Sequence, residues 1–151
     1  MNEPGQAPER LSASLTYLGF DLGTRRIGIA VGQTLTRTAR DLDTVRVRDS
    51  IPDWERIAEH VAVWEPAAFI VGLPLDSQGR ETDMSRRAKR FGRSLSDRYN
   101  LDVHWVNEFL SSDAARQALS AGDRRNTQSL KDQVAARLIL ETFLSEQQSG
   151  R

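Results

Sequence analysis

The run Ala67-Ala68-Phe69-Ile70-Val71-Gly72-Leu73 constrains the fold most, because it is apolar on both alternations. A strand with one wet face alternates apolar and polar side chains, whereas a strand covered on both faces shows no polar register. Such a strand needs layers on either side of a sheet, and the flanking segments supply them. Upstream, TYLGFDL from Thr16 and IGIAVGQ are short, β-rich and joined by a turn around Gly23-Thr24-Arg25-Arg26, which predicts two antiparallel strands. A third strand is predicted over residues 38–47, TARDLDTVRV. Pro52 to Trp64 then places Trp54, Ile57, Ala58, Val61 and Trp64 at helical spacing, with Asp53 and Glu55 in the first turn and Pro66 beyond the end.

Downstream of the apolar run and its loop PLDSQGRET, an amphipathic helix is predicted from about Thr82 to Tyr99. Met84, Ala88, Phe91 and Leu95 share its apolar face, and Arg86, Lys89, Arg90 and Arg93 gather on the other. A strand over Asp102 to Asn107, a short helix over Ser112 to Ser120, the polar stretch AGDRRNTQS and a last helix from about Leu130 to Ser145 complete the order. This succession predicts an α/β domain with a mixed sheet, antiparallel at first and parallel after the crossovers. The 151 residues suffice for one core. Residues 1–14, rich in Pro, Gly, Ser and Glu, read as a disordered tail, 15–146 as the single domain and 147–151 as a second tail.

Composition narrows the chemistry. With no cysteine, and only His60 and His104, neither a disulfide framework nor a thiolate or histidine-rich zinc site is available. A metal here would take carboxylate and water ligands, which selects magnesium or manganese. Basic and acidic residues balance at 21 each, so any attraction to nucleic acid must be local. No segment reads as a membrane span or signal peptide, which predicts a cytoplasmic protein without a membrane partner.

Three acids stand out. Asp21 ends the first strand on the face of Tyr17 and Gly19, beside the small Gly28, Ala30 and Gly32 of the next, a pattern that predicts open space next to it; the alternative is an Asx turn into Gly23. Glu108 follows a predicted parallel strand, at the end where ligands collect in such sheets, though a glutamate there can simply be solvated. Asp132 falls in line with Ala136, Ile139 and Phe143, an apolar stripe on which a carboxylate needs donors or a cation. Ser129-Leu130-Lys131-Asp132 also fits a capping box. If the three converge, they form a hard-oxygen site able to bind one or two divalent cations for displacement at phosphorus. Candidate phosphate contacts are Arg25 and Arg26, the face of Arg86, Lys89, Arg90 and Arg93, and Arg124 and Arg125 before the last helix.

FDLGTRRIGIAVG, FIVGLPLDSQG, the glutamate of VNEFLSS and LKDQVAARLILETFL, in that order, resemble the YqgF family over nearly everything from Tyr17 to Leu144. Its members are small bacterial proteins described as pre-16S ribosomal RNA nucleases or Holliday junction resolvases. The resemblance implies a ribonuclease H-like fold: a mixed five-stranded sheet, its first three strands antiparallel, with helices on both faces. It implies Asp21, Glu108 and Asp132 as catalytic and metal-binding residues for Mg2+ or Mn2+. Gly23, Thr24, Arg25, Arg26, Arg86, Arg90, Arg93, Arg124, Arg125 and Lys131 are the expected substrate contacts.

The substrate implied is structured RNA, the 5′ end of the 16S precursor, with pre-ribosomal particles as partners and the protein a monomer or weak homodimer. Branched DNA is the alternative substrate, and a catalytically silent RNA- or ribosome-binding module the alternative class. A nucleotide-binding reading of Asp21-Leu22-Gly23-Thr24 would need a second domain to enclose ATP. Three departures from the family stand in the sequence: Asn107-Glu108-Phe109 where Asp-Glu-Arg is common, Val31-Gly32-Gln33 where Ser-Asp often occurs, and Leu75-Asp76-Ser77-Gln78-Gly79 where Asn and Asp-Gly are usual.

Overall fold

The computed structural model describes residues 14–108 and 127–149. Strands β1 (Thr16–Leu22), β2 (Arg26–Gln33), β3 (Thr38–Arg48), β4 (Ile51–Pro52), β5 (Ala68–Pro74) and β6 (Asp102–Glu108) form one sheet in the order β4-β3-β2-β1-β5-β6. Neighbours from β4 to β1 pair antiparallel, and β5 pairs parallel with β1 and with β6. The fully apolar run is therefore β5, with a parallel neighbour on each side, as its lack of a polar register requires.

The sheet has six strands rather than the expected five. The addition is the two-residue β4, joined to β3 by Asp49 and Ser50, both at positive φ (51° and 65°). That is a two-residue hairpin turn with the twist antiparallel strands favour, built here without the Asn-Gly signature that would reveal it.

Helices α1 (Trp54–Trp64) and α2 (Asp83–Tyr99) pack on one face, and α3 (Thr127–Ser149) on the other. The first core joins Leu18, Phe20 and Phe69 of the sheet to Ile57 of α1 and Phe91 and Leu95 of α2, with Phe20 edge-on to both Phe69 and Phe91. The second joins Tyr17, Ala30 and Ile70 to Ala136, Leu140 and Phe143 of α3. Single side chains fix where two helices begin. Asp53 caps α1 by accepting from the Arg56 amide at 3.2 Å, and Thr82 and Ser85 form a reciprocal capping box on α2. Ser85, fully buried, also donates to the Pro74 carbonyl, which ties α2 to the end of β5.

Asp43 of β3 anchors α1. Its Oδ2 lies 2.7 Å from both Arg56 Nε and His60 Nε2, and its Oδ1 accepts from the Thr44 amide at 2.8 Å. Burial alone would raise its pKa; the hydrogen bonds from His60, Arg56 and Thr44 outweigh that and hold it below the usual carboxylate range.

Two expectations need correction. The small face of β2 does not leave open space beside Asp21. The missing side chains let α3 lie directly on the sheet, so close that a Cβ on Gly28 would sit 2.0 Å from the Asp132 carbonyl oxygen and one on Gly32 would sit 3.0 Å from Leu140 Cδ2. And α3 starts at Thr127, not near Leu130. The predicted helix over Ser112–Ser120 lies outside the described residues, as does most of the loop before α3.

Candidate active site

Strand register and the docking of α3 bring the three acids into one row. Asp21 is paired with Gly28 across β1 and β2, and the match of Phe20 with Val71 sets Gly72 of β5 at its other side. All three belong to the face that α3 covers, because Tyr17 and Gly19 precede Asp21 on its alternation and Ile70 precedes Gly72. Neither glycine carries a side chain to separate the acids. Into the space over Gly72 comes Glu108 from the end of β6, its Oε2 only 2.5 Å from where a Cβ on Gly72 would stand. Over Gly28 comes the Asp132 backbone. Glu108, Gly72, Asp21, Gly28 and Asp132 thus succeed one another across four strands and a helix.

The close approach sets the electrostatics. Asp21 has a pKa well above the ordinary aspartate value, first because burial disfavours its charge, then because Glu108 and Asp132 add like charges. Glu108 is pushed up to about 7, by burial. Asp132 has a cation: Arg26 Nε donates to its Oδ2 at 3.1 Å. The local alternatives for these acids fail. The Gly23 amide is bonded to the Arg26 carbonyl at 2.8 Å rather than serving an Asx turn. Ser129 is the third residue of α3 and cannot be its cap.

Among the described residues no group of three or more His, Asp or Glu side chains stands close enough to enclose an ion as placed. The donor chemistry nevertheless fits a hard divalent cation: two carboxylates of raised pKa face a third across glycines, with no imidazole or thiolate nearby.

The other expected site residues divide. The tight turn Gly23-Thr24-Arg25-Arg26 lies at the end of the row, with Thr24 and Arg25 exposed and the Arg25 carbonyl anchored by the Val47 amide at 2.8 Å. Lys131 adjoins Asp132 in sequence, which does not give it the same helical face. Arg86, Arg90 and Arg93 are not brought to the acids: α2 packs on the opposite face of the sheet, with Arg86 on Asp83 at 2.5 Å and its neighbour Lys89 on Glu81. Arg124, Arg125 and Phe109 lie outside the described residues. The Arg26–Asp132 pair was not foreseen; its signal is the register that sets Arg26 two residues from Gly28, under the start of α3.

The profile of a family described as "RuvX: Holliday junction resolvase" matches residues 15–146. The chain belongs to the RuvX family. RuvX is the family named YqgF above. A relative from Nitrosococcus oceani, named "Putative pre-16S rRNA nuclease", is 46% identical over 138 residues, 89% of each chain. One of the same name from Azotobacter vinelandii is 42% identical over 142 residues, covering 93% of this chain and all of that one. In fold, this RuvX chain resembles T. thermophilus RuvC solved with a Holliday junction substrate, at TM-score 0.52 and 16% identity over 89% of this chain and 96% of that one. The fowlpox virus Holliday junction resolvase gives 0.50 and 15% over 88% and 99%. These two likenesses establish the ribonuclease H-like fold. No described helix is long and apolar enough to cross a membrane.

Proposed function

We propose that the chain is a metal-dependent nuclease whose Asp21, Glu108 and Asp132 hold Mg2+ or Mn2+ and whose natural substrate is the 5′ end of pre-16S ribosomal RNA. The observation that carries this is the row of acids spaced by Gly28 and Gly72. Asp21 loses hydration and meets the like charges of Glu108 and Asp132, and Glu108 loses hydration too, a penalty of order kilocalories that a divalent cation among them would offset. A bound divalent ion supplies an activated water and charge stabilisation at phosphorus. The chain's own part is to orient: α3 and β6 aim Asp132 and Glu108 at Asp21, and the exposed Thr24-Arg25 turn presents donors to a phosphate arriving at that edge. Arg26, which donates to Asp132 Oδ2 in the structure, would join those donors if that carboxylate held a cation. Residues 15–146 are the working unit, in the cytoplasm.

The names of the relatives favour RNA, and the family description keeps four-way DNA junctions as the second substrate. One experiment compares them: cleavage, with manganese or magnesium, of RNA carrying the 16S precursor leader and of a four-way DNA junction, by wild type and Asp21→Asn. Wild-type cutting of RNA that the variant lacks supports the proposal. Cutting of the junction alone, by paired symmetric incisions, makes the protein a resolvase working as a dimer. Equal cutting by Asp21→Asn, or none by either, removes the site from consideration and leaves a binding module.

A further inference from the structure

On the face of the sheet opposite the acids, an open-sided cavity of about 470 Å³ lies between the end of β1, the β3–β4 hairpin and α2. One stripe of α2 forms a wall: Arg87, Arg90, Phe91, Ser94 and Arg98 recur at helical spacing. Ile51, 62% exposed, and Pro52 form the facing wall. Trp54 lies between, stacked on Phe91 at 5.5 Å, with the Arg98 guanidinium 4.0 Å above its ring. Arg87 and Arg90 are exposed and make no hydrogen bond or close ion pair among the described residues, although the charge of Arg87 reaches Asp83, and no carboxylate lines the cavity. In a chain of zero formal charge, three arginines around an apolar pocket without an acid form a local site for an anion that also has an apolar part.

The position of the cavity says which anion. Its floor includes Leu22 and Gly23, and the residue before them is Asp21, whose side chain projects to the other face. A strand passing the acids and rounding the exposed Thr24-Arg25 turn enters this cavity next.

We propose that the cavity binds a single-stranded stretch of the nucleic acid, its phosphates on Arg87 and Arg90 and a base against Ile51 and Pro52. This rests on the nucleic-acid reading above and adds a second contact site on the back of the sheet. It also gives Arg90 of α2, which cannot reach the acids, a role in holding substrate.

The test is binding without chemistry: fluorescence anisotropy of a short labelled single-stranded RNA in EDTA over a salt series. Arg87→Ala/Arg90→Ala is expected to weaken binding about tenfold or more near 100 mM salt and to lower the magnitude of the salt slope by about 1.4, the share of two phosphate contacts on a single strand. Arg37→Ala, an exposed arginine on the hairpin at the far end of the sheet, is expected to change affinity less than about twofold. Unchanged affinity in the double variant, or an equal loss in Arg37→Ala, overturns the proposal. So does uridine monophosphate or inorganic phosphate competing as well as RNA, which would mean a small-anion site. Because no metal or cleavage enters the readout, a protein that binds through this cavity but cuts nothing refutes the nuclease reading alone, and one that cuts but binds independently of Arg87 and Arg90 refutes this site alone.

Discussion

Asp43 and Asp21 are aspartates of one sheet, both partly buried, in opposite surroundings. Asp43 has Arg56, His60 and the Thr44 amide within hydrogen-bonding distance, and its pKa is lowered. Asp21 has Glu108 and Asp132, and its pKa is raised. The first carboxylate is a structural tie, its charge bonded to Arg56 and His60 of α1, whose apolar face packs into the core through Ile57. The second sits where burial and two like charges penalise its ionisation, a placement that the proposed metal site would explain. Local stability is the coordinate along which tie and site separate.

The sharpest way to break the comparison is to remove each charge in turn. Asp21→Asn is expected to lower cleavage at least about a thousandfold, roughly 4 kcal/mol of transition-state stabilisation, while leaving urea stability equal to the wild type or higher. A variant that still cuts, or that unfolds, would put Asp21 in the same class as Asp43. Next in size is the spacing of the row. Gly28→Ala forces a methyl to 2.0 Å from the Asp132 carbonyl and is expected to cost about 3 kcal/mol in thermal or chemical unfolding. At Gly19 the nearest atom is Leu140 Cβ at 3.1 Å, and Gly19→Ala serves as the milder control.

The pH dependence comes third. Between about pH 4.5 and 7 the folded, metal-free protein keeps a proton on Glu108 that the unfolded chain releases, so its stability falls as pH rises through that window and levels off above it. The expected loss is roughly 2 kcal/mol, after discounting the 1.36 kcal/mol per pKa unit for the part of Glu108 that meets solvent. Glu108→Gln should flatten the curve; a wild-type curve rising over the same range would contradict the placement. Asp43, with its lowered pKa, works the other way: it contributes stability that is lost only as pH falls through that depressed value. Asp43→Ala is expected to cost about 1.5 kcal/mol at neutral pH, from the loss of charge-assisted hydrogen bonds to Arg56 and His60. The smallest effect is on cation affinity. Arg26→Ala removes the positive charge on Asp132 and should tighten manganese binding about threefold by calorimetric titration. Weaker binding in that variant would mean that Arg26 orders Asp132 rather than competing with the ion.

Periodicity carried much of this fold. The two alternations of Ala67–Leu73 put β5 inside, and the spacing of Trp54, Ile57 and Val61 drew α1 to within two residues of its observed start. The stripe of Asp132 with Ala136, Ile139 and Phe143 set that acid on a covered face, and all three of those apolar residues are buried. Periodicity does not say which layer does the covering. The small face of β2 looked like room for a ligand because its cover is a helix more than ninety residues later in the chain. Nor does a basic helical face reveal its side of the sheet: α2 connects the parallel strands β5 and β6, and such crossovers are right-handed, which fixes its face only once strand order is known. Partners such as Arg26 and Asp132, 106 residues apart, depend on that same long-range register.

Covering by α3 also sets a time. Of the three acids, Asp21 and Glu108 precede it, and Asp132 lies on its second turn. A ribosome making this chain delivers β1 to β6 first, and sheet and front helices can fold while α3 is still in the exit tunnel. The acids form their row only after translation has passed residue 149 and the last helix has docked on the glycines. The row of acids is therefore a late product of folding, complete only once the last helix to be synthesised of those described has docked on the sheet.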